Sequence, residues 1–141
     1  MRYLLVVLIF TCLINPIISQ DEVTINTTRF STIYFQFNTT KYTDSLEAEK
    51  YKKEYEILKM LINSNPNVTL VIHGYQNIKE RVNIAEKRAK KVKFDLIKIG
   101  VSEEKIIIKK EAPIYVDSST LDSEMRLTQH VSFEILGNNR Y

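Results

Sequence analysis

Residues 71–92 read VIHGYQNIKERVNIAEKRAKKV, an apolar run that ends at Gly74 and is followed by a basic helical segment. The run belongs to Val68 to His73, whose β-branched residues are typical of an interior strand. After Gly74, apolar residues recur at steps of three and four before Gly100, a helix stop; they are Val82, Ala85, Ala89, Val92, Leu96 and Ile99. The stretch predicts a strand, a turn and a helix. Such a junction is either plain scaffolding or a place that holds a ligand at the helix entrance.

The segment before this stretch contains one more strand and one more helix. Ser31 to Asn38 alternates in polarity and predicts a half-buried strand, whose apolar face carries Ile33, Phe35 and Phe37. Leu46 to Ser64 predicts an amphipathic helix, because apolar residues recur at steps of four, three and four; they are Tyr51, Tyr55, Leu58 and Ile62. Asp44 and Glu47 form a capping box at its start, and Asn65-Pro66 ends it.

Two further strands follow the second helix. They are predicted at Lys105 to Lys110 and at Leu127 to Leu136, and Glu111 to Arg126 between them is predicted to be a long surface loop with a polar tract at 117–120. The order of elements is then strand, helix, strand, helix, strand, strand. This order predicts an α+β fold in which two helices pack on one face of a mixed four-stranded sheet.

The first residues have the pattern of a secretory signal peptide. Arg2 precedes an apolar run from Tyr3 to Leu13, and Ser19 is a small residue before a polar stretch. Residues 1–19 are therefore predicted to be removed on export, and residues 20–29 to lead into the domain. Two alternatives stay open: an uncleaved membrane anchor, although the run is shorter than the roughly 20 apolar residues of a spanning helix, or lipidation at Cys12.

Composition argues against several classes of protein. The 141 residues are 44% hydrophobic and 26% charged, which fits one globular domain with a short extra segment. Removal of residues 1–19 leaves 19 basic and 17 acidic side chains, a net charge of +2, with no cysteine; this near-balance argues against nucleic-acid binding. Three glycines provide no phosphate-binding loop, so neither catalysis nor a cofactor is expected. His73 and His130 have few acidic neighbours in the sequence, and no metal site is expected.

Several strings, taken in order, resemble one family. They are IYFQFN at 33–38, NPNVTLVIHGYQN at 65–77, AEKRAKKV at 85–92, DLIKIGVSEEKI at 95–106 and QHVSFEI at 129–135. Their order and spacing resemble the OmpA-like domain, the C-terminal periplasmic domain of outer membrane protein A and its relatives. The resemblance implies an OmpA-like β-α-β-α-β-β domain over residues 30–137, with 138–141 as a C-terminal tail.

The resemblance also implies binding to peptidoglycan through the diaminopimelate of its stem peptide. In the family, an aspartate in the turn after the second strand pairs with the ammonium of that amino acid, and a helix arginine followed by alanine pairs with its carboxylate. Backbone N–H groups at the helix entrance contact the same carboxylate. In this sequence Gly74 matches the family glycine and Arg88 the arginine, whereas Asn77 replaces the aspartate.

The departures from the family pattern change the expected ligand. Asn77 brings no charge, and replacing a charge-assisted contact by a neutral one costs on the order of 1–2 kcal/mol. The turn is also shorter than in the family, and Arg81 is expected on the same side of the helix as Arg88, as a second cation. The candidate ligand-binding residues are therefore Gly74, Asn77, Arg81 and Arg88. Weak or absent wall-peptide binding is expected, with a carboxylate or phosphate as another ligand.

Each candidate also has an interpretation without a ligand. Arg88 can lie on the helix rim with its stem over the sheet, and Asn77 can cap the helix. The lysines at 87, 90, 91 and 93 indicate a solvated helix face, or one that contacts anionic wall polymers or lipid head groups. Two functions follow: a peptidoglycan-associated envelope domain, or a structural or protein-interaction module without peptidoglycan binding. Both place the mature chain in the periplasm, without a membrane span, with an envelope protein as a partner at the outer membrane.

Overall fold

The structure, a computed structural model, describes residues 30–43, 45–116 and 122–137. These residues form four strands, β1 (Ile33–Tyr34), β2 (Val68–Gly74), β3 (Ile106–Lys110) and β4 (His130–Gly137), and three helices, α1 (Ser45–Ser64), α2 (Ile84–Lys98) and α3 (Asp122–Arg126). A 3₁₀ turn at Glu103–Lys105 precedes β3. The chain follows the order β1, α1, β2, α2, β3, α3, β4. The predicted order is confirmed, with the short α3 added before the last strand.

The four strands form one mixed sheet in the order β1-β4-β2-β3. β2 is a central strand, parallel to β3 and antiparallel to β4, and β1 is antiparallel to β4. A parallel pair needs a crossover connection, and α2 provides it between β2 and β3. The carboxyl end of β2 and the start of α2 therefore lie at the end of a central strand. This is the strand-turn-helix junction that the sequence predicted.

The core lies between the sheet and the two long helices. The predicted stripe of α1 is buried, as are the residues of α2 that face the sheet; together with the strand residues the core contains Ile33, Phe35, Tyr51, Tyr55, Leu58, Ile62, Leu70, Ile72, Ala89, Val92, Leu96, Val101, Ile106 and Val131. Because alternate residues of a strand point to opposite faces, Leu70 and Ile72 face the helices. The prediction of two helices on one face of a mixed four-stranded sheet is confirmed.

Gly74 allows β2 and α2 to approach closely. A Cβ atom at this position would lie 2.3 Å from the carbonyl oxygen of Ala85 and 3.3 Å from the Cβ atom of Ala89. The first distance is far below a van der Waals contact with backbone atoms, so no larger residue fits without moving the helix. The small residues of α2 and the glycine of β2 together bring the helix entrance down onto the strand end.

Two predicted elements are shorter than the sequence indicated. α2 begins at Ile84, so Val82 precedes it and is 79% exposed instead of facing the core. β1 ends before Phe37, which is 44% exposed, since Asn38 turns the chain in the left-handed region at φ 53°. In both cases the apolar pattern of the sequence is longer than the regular helix or strand.

The predicted loop 111–126 also differs from expectation. Its end forms α3, and Ile114 makes a parallel β-bridge to Asn77. The predicted signal peptide, the lead-in at 20–29, Cys12, Asp44, the polar tract at 117–120 and the tail at 138–141 lie outside the described residues. Within the part of the chain that the structure describes, no helix is both long and apolar enough to span a bilayer.

Candidate functional site

Arg88 lies one turn into α2 and is completely buried, the largest fully buried side chain described. A guanidinium carries five N–H groups, and all five have an acceptor here. Nε donates to Thr39 O (3.0 Å), Nη1 to Tyr75 O (3.2 Å) and Glu80 Oε2 (2.9 Å), and Nη2 to Gln36 O (3.1 Å) and Glu80 Oε1 (2.5 Å). Arg88 is therefore not a rim residue over the sheet. It joins the loop after β1, the end of β2 and the segment before α2.

The carboxylate of Glu80 is the partner of Arg88, and it is also fully used. The Glu80–Arg88 ion pair is bidentate, and both side chains are 0% exposed. Glu80 Oε1 also accepts the N–H of Asn38 at 2.8 Å, and Oε2 accepts the N–H of Asn77 at 2.9 Å. We call Asn38, Asn77, Glu80 and Arg88 the Arg88 corner. Its charges are balanced, and a carboxylate with four donors has no free acceptor position.

Asn77 is buried and holds the turn between β2 and α2. Its Oδ1 accepts the N–H of Lys79 at 2.9 Å, and its Nδ2 donates to Thr128 Oγ1 at 3.4 Å. The interpretation of Asn77 as the cap of α2 is wrong, because the helix starts only at Ile84. An asparagine that accepts from the N–H two residues later forms an Asx turn, and that turn sends the chain into 78–83.

The entrance of α2 is capped by a different side chain. Gln76, which is buried, accepts the N–H of Ala85 with its Oε1 at 3.2 Å. The first N–H groups of a helix have no partner inside the helix, so this bond satisfies one of them. The backbone N–H of Ile84 donates to Arg81 O at 3.2 Å, so at least two N–H groups of the helix entrance are used within the fold.

Arg81 is exposed and lies outside α2. The expected helical relation to Arg88 is wrong, since residues 81–83 are not helical. Its backbone N–H donates to Asn38 Oδ1 at 2.7 Å, so Asn38 contacts the segment twice, through its N–H to Glu80 and through its side chain to Arg81. The part of Arg81 that stabilises the corner is its backbone.

His130 lies beside the corner. Its ring stacks on Tyr75, with centroids 4.2 Å apart. Burial lowers the pKa of His130, and the nearby charge of Arg88 lowers it further, while a hydrogen bond to the Leu127 backbone opposes both effects. Burial and the charge of Arg88 therefore both favour the neutral form of this imidazole.

A second polar cluster lies on the sheet face away from the helices. His73 Nδ1 is 2.7 Å from Glu111 Oε1, and His73 Nε2 is 2.9 Å from Glu134 Oε2; Lys109 pairs with Glu111 at 3.2 Å. The expectation that His73 lacks acidic neighbours is wrong, because β4 and the segment after β3 bring them together. The hydrogen bond from His73 is the main cause that lowers the pKa of Glu111. Among the described residues, no group of three or more histidine, cysteine, aspartate or glutamate side chains has a metal-binding arrangement.

The lysines of α2 form ion pairs along the surface. Lys90 pairs with Glu86 at 2.5 Å, Lys91 with Asp95 at 2.9 Å, and Lys93 with Glu103 at 3.0 Å. The exposed Lys90–Glu86 pair contributes little to stability and is screened by salt, whereas Lys91 and Asp95 are half-buried. The arrangement fits the solvated helix face that the sequence indicated.

An open cavity of about 330 Å³ lies next to the corner, between β1, its following loop and α3. It is lined by Phe35, Gln36, Phe37, Thr43, Met125, Arg126 and Gln129. The cation at this cavity is Arg126, whereas the guanidinium of Arg88 is enclosed behind Gln36 and Thr39.

Comparison with known proteins adds to this description. The sequence matches no family model and no curated protein. Among solved structures, it is similar to the peptidoglycan-associated lipoprotein of Burkholderia pseudomallei, with a TM-score of 0.62 and 15% identity over 74% of this chain and 89% of that one. It is similar to the C-terminal domain of MotB from Helicobacter pylori, with a TM-score of 0.57 and 16% identity over 77% and 86%. The OmpA-like domain of FopA1 from Francisella tularensis gives a TM-score of 0.51 and 17% identity over 75% and 71%.

The chain has the OmpA-like fold. The resemblance seen in the sequence strings is thus confirmed for the architecture, at an identity of 15–17% to these three structures. In this OmpA-like fold, Gly74, Asn77 and Arg88 all lie near the junction of β2 and α2: Gly74 ends β2, and Arg88 and the Asn77 N–H contact the same oxygen of Glu80. Arg81 is exposed.

The sequence did not reveal Glu80 or Asn38 as parts of the corner. Glu80 lies eight residues before Arg88, and Asn38 contacts it across 42 residues of sequence. The available signal was local: an acidic residue in the nonhelical segment before the arginine, and an asparagine, which tolerates the left-handed conformation, at the end of the first strand.

Proposed function

We propose that this chain is a non-catalytic domain of the bacterial cell envelope, exported to the periplasm, in which the Arg88 corner stabilises the fold and the domain acts as a structural or protein-interaction module. The single observation that carries this proposal is the burial of Arg88 with all five N–H groups bound inside the chain. The envelope location is supported by the similarity to a peptidoglycan-associated lipoprotein and by the sequence pattern of residues 1–19.

The corner offers little to a zwitterionic ligand in this state. Recognition of diaminopimelate requires a cation for its carboxylate and an anion for its ammonium. Arg88, the cation, is neutralised by Glu80, and Asn77, in place of the anion, is 0% exposed and bonded to Lys79 and Thr128. A ligand would have to displace a bidentate ion pair and two backbone hydrogen bonds to enter. The geometry therefore favours the module without peptidoglycan binding at this corner.

Sedimentation with purified peptidoglycan tests the proposal. The parent chain is expected to remain in the supernatant, while the peptidoglycan-associated lipoprotein of Burkholderia pseudomallei serves as the positive control. Sedimentation of most of the parent chain, reversed by free meso-diaminopimelate, would overturn the proposal. Competition by the free amino acid is a better criterion than an Arg88 variant, because loss of Arg88 also affects folding.

Peptidoglycan association is the second candidate function, and one observation favours it. The corner holds a carboxylate by the guanidinium of Arg88, the group that the resemblance assigns to the ligand carboxylate, and by a backbone N–H, which here belongs to Asn77 in the turn before α2. The corner thus has the chemistry of a carboxylate site, although the carboxylate present is the chain's own. Sedimentation of the parent chain with peptidoglycan, reversed by free meso-diaminopimelate, would favour this second candidate.

A further inference from the structure

The groups around Glu80 form a complete receptor for one carboxylate. Arg88 contributes two N–H donors at 2.5 and 2.9 Å, and the backbone N–H groups of Asn38 and Asn77 contribute donors at 2.8 and 2.9 Å. A planar guanidinium matches the two oxygens of a carboxylate, and backbone amides add direction without adding charge. Nothing in this set is specific for a glutamate side chain, since every donor contacts only the carboxylate oxygens.

The segment that carries Glu80 is otherwise held weakly. In the described segment 78–83, Glu80 is the buried side chain, and the other five residues are exposed, among them Ile78 at 56% and Val82 at 79%. Segments with few buried apolar contacts open at low free-energy cost. Lifting 78–83 would lose little hydrophobic burial. It would separate Glu80 from its four donors, and it would also break the hydrogen bonds of the Ile78 N–H to Ile114 O and of the Arg81 N–H to Asn38 Oδ1. A second carboxylate in the same place would recover the part of the cost that comes from the four donors.

We propose that Glu80 is an internal ligand that occupies a carboxylate-binding site formed by Arg88 and the N–H groups of Asn38 and Asn77, and that an external carboxylate takes this site when residues 78–83 open. This inference rests on the proposed function, because it explains how the corner is closed, and it names the ligand class and the competitor. Tethering favours Glu80 as a competitor, since a group on the same chain reaches the site without association from solution. External carboxylates therefore bind weakly to the parent chain.

Removal of the Glu80 carboxylate tests the inference. Glu80→Ala leaves the four donors buried and without their acceptor, so its melting temperature is expected to fall. Sodium propionate is expected to raise that temperature with increasing concentration, well above the effect of sodium chloride at equal ionic strength. The backbone amide resonances of Asn38 and Asn77 are expected to shift with propionate in the same titration. The parent chain is expected to respond more weakly than Glu80→Ala at every propionate concentration, because Glu80 competes for the same donors.

Two further variants make the result decisive. Glu86→Ala removes an acidic side chain from the surface of α2, and it is expected to behave like the parent in both salts. If Glu80→Ala does not fold in chloride, recovery of folding in propionate supports the site, and Glu80→Gln provides the same titration in a chain that keeps the side-chain volume. Responses of Glu80→Ala and Glu80→Gln that are equal in propionate and chloride would overturn the inference.

The source of the carboxylate is distinguished by a separate arm. Glu80→Ala that sediments with purified peptidoglycan, and is released by meso-diaminopimelate, identifies the wall peptide as the source. Glu80→Ala that responds to propionate but stays in the supernatant identifies a carboxylate from another source, such as a peptide C-terminus. The proposed function is overturned if the parent chain sediments with peptidoglycan. This inference is overturned if the melting temperatures of the Glu80 variants respond equally to propionate and chloride. The two failures are therefore distinguishable.

Discussion

Arg88 is a charged residue that the fold has removed completely from water. Desolvation of a guanidinium is expensive and is tolerated only when the charge is paired and its donors are bonded, which Glu80 and three backbone carbonyls achieve here. The pair is then a strong determinant of local structure. The sequence predicted Arg88 to be a ligand-binding cation. In the folded chain it is the centre of a hydrogen-bond network.

Replacing Arg88 is expected to destabilise the domain strongly. Arg88→Met keeps the length of the stem but leaves Glu80 as a buried charge without a partner, and such a change costs about 3–5 kcal/mol. Urea unfolding followed by circular dichroism measures the free energy of unfolding. Arg81→Met is the matched control, because Arg81 is exposed on the neighbouring segment and its replacement is expected to stay within about 0.5 kcal/mol.

A double variant separates the ion pair from the rest of the network. Arg88→Met combined with Glu80→Leu is expected to cost less than the sum of the two single changes, since neither charge is then left alone. Additive losses, or a loss in Arg88→Met no larger than that in Arg81→Met, would contradict the assignment of Arg88 as a buried, paired residue.

Gly74 is a second residue whose role the structure defines. Gly74→Ala places a Cβ atom 2.3 Å from Ala85 O, a backbone atom that cannot turn aside, so the helix entrance must move. Overpacking of this kind costs about 1–3 kcal/mol. Thermal unfolding is the measurement, and Thr69→Ala, on the same strand and half-buried, is the control with a smaller expected change. Equal stability of Gly74→Ala and the parent would show that β2 and α2 are not in close contact.

At the residue scale, the sequence predicted those site residues that belong to a recognisable pattern. Arg88 and Gly74 could be located because each belongs to a recognisable string with fixed spacing. Glu80 could not, because its role depends on Asn38, a residue 42 positions earlier that only the folded sheet brings near. Contacts between distant segments leave no periodic trace in a single sequence.

At the scale of elements, a hydrogen-bond network joins the loop after β1 to both long helices. Tyr42, in that loop, donates its hydroxyl to Asp95 of α2 at 2.7 Å and is 3.2 Å from the hydroxyl of Tyr55 of α1. Lys91 pairs with the same Asp95 oxygen and lies over the Tyr42 ring. The loop that supplies two carbonyl acceptors to Arg88 is thus positioned from its other end by Tyr42.

Tyr42→Phe is expected to loosen this loop and to change the response to alkali. Burial raises the pKa of Tyr42 far above its ordinary value of 10.0, so the folded chain keeps the proton while the unfolded chain loses it. The contribution of Tyr42 to stability is therefore complete below pH 10 and declines as the pH rises above it. At pH 7, loss of the hydroxyl is expected to cost about 1–2 kcal/mol.

Urea midpoints measured from pH 7 to above pH 10 check both parts of this expectation. The parent should lose stability steeply in alkali, and Tyr42→Phe should lose less over the same interval. Tyr115→Phe is the control, since Tyr115 is 70% exposed. An equal fall of the urea midpoint with rising pH in the parent and in Tyr42→Phe would contradict the explanation that the folded chain keeps the Tyr42 proton.

Element prediction succeeded where packing follows periodicity and failed at the ends of elements. The buried stripe of α1 was predicted in full, because its apolar residues pack directly against the sheet. The start of α2 and the end of β1 were not. Val82 belongs to the apolar pattern but precedes Asn83, after which the helix begins, and Phe37 belongs to the pattern but follows the end of the strand; Asn83 and Asn38 both have positive φ. α3 is too short to produce a period.

At the scale of the whole molecule, the Arg88 corner connects the beginning of the domain to its centre. Arg88 contacts the carbonyls of Thr39 and Gln36, which lie 49 and 52 residues earlier in the sequence. Contacts of such separation close long loops and contribute to cooperativity once the sheet has formed. The similarity to solved OmpA-like structures at about 15% identity fits a fold that is determined by packing and topology more than by particular residues.

Shortened chains test which residues the domain needs at its two ends in order to fold. The described core extends from Ile33 to Val131, with Phe30, Phe133 and Ile135 packed against it, so a chain of residues 30–137 is expected to unfold at the same urea midpoint as a chain of residues 20–141. A chain of residues 38–137 is the control: it lacks Ile33, Phe35 and the Gln36 carbonyl that Arg88 contacts, and it is expected not to fold cooperatively. Circular dichroism during urea unfolding compares the three chains. A cooperative transition in 38–137, or a lower midpoint in 30–137 than in 20–141, would contradict the predicted boundary, because the first result makes β1 dispensable and the second requires residues beyond the core for stability.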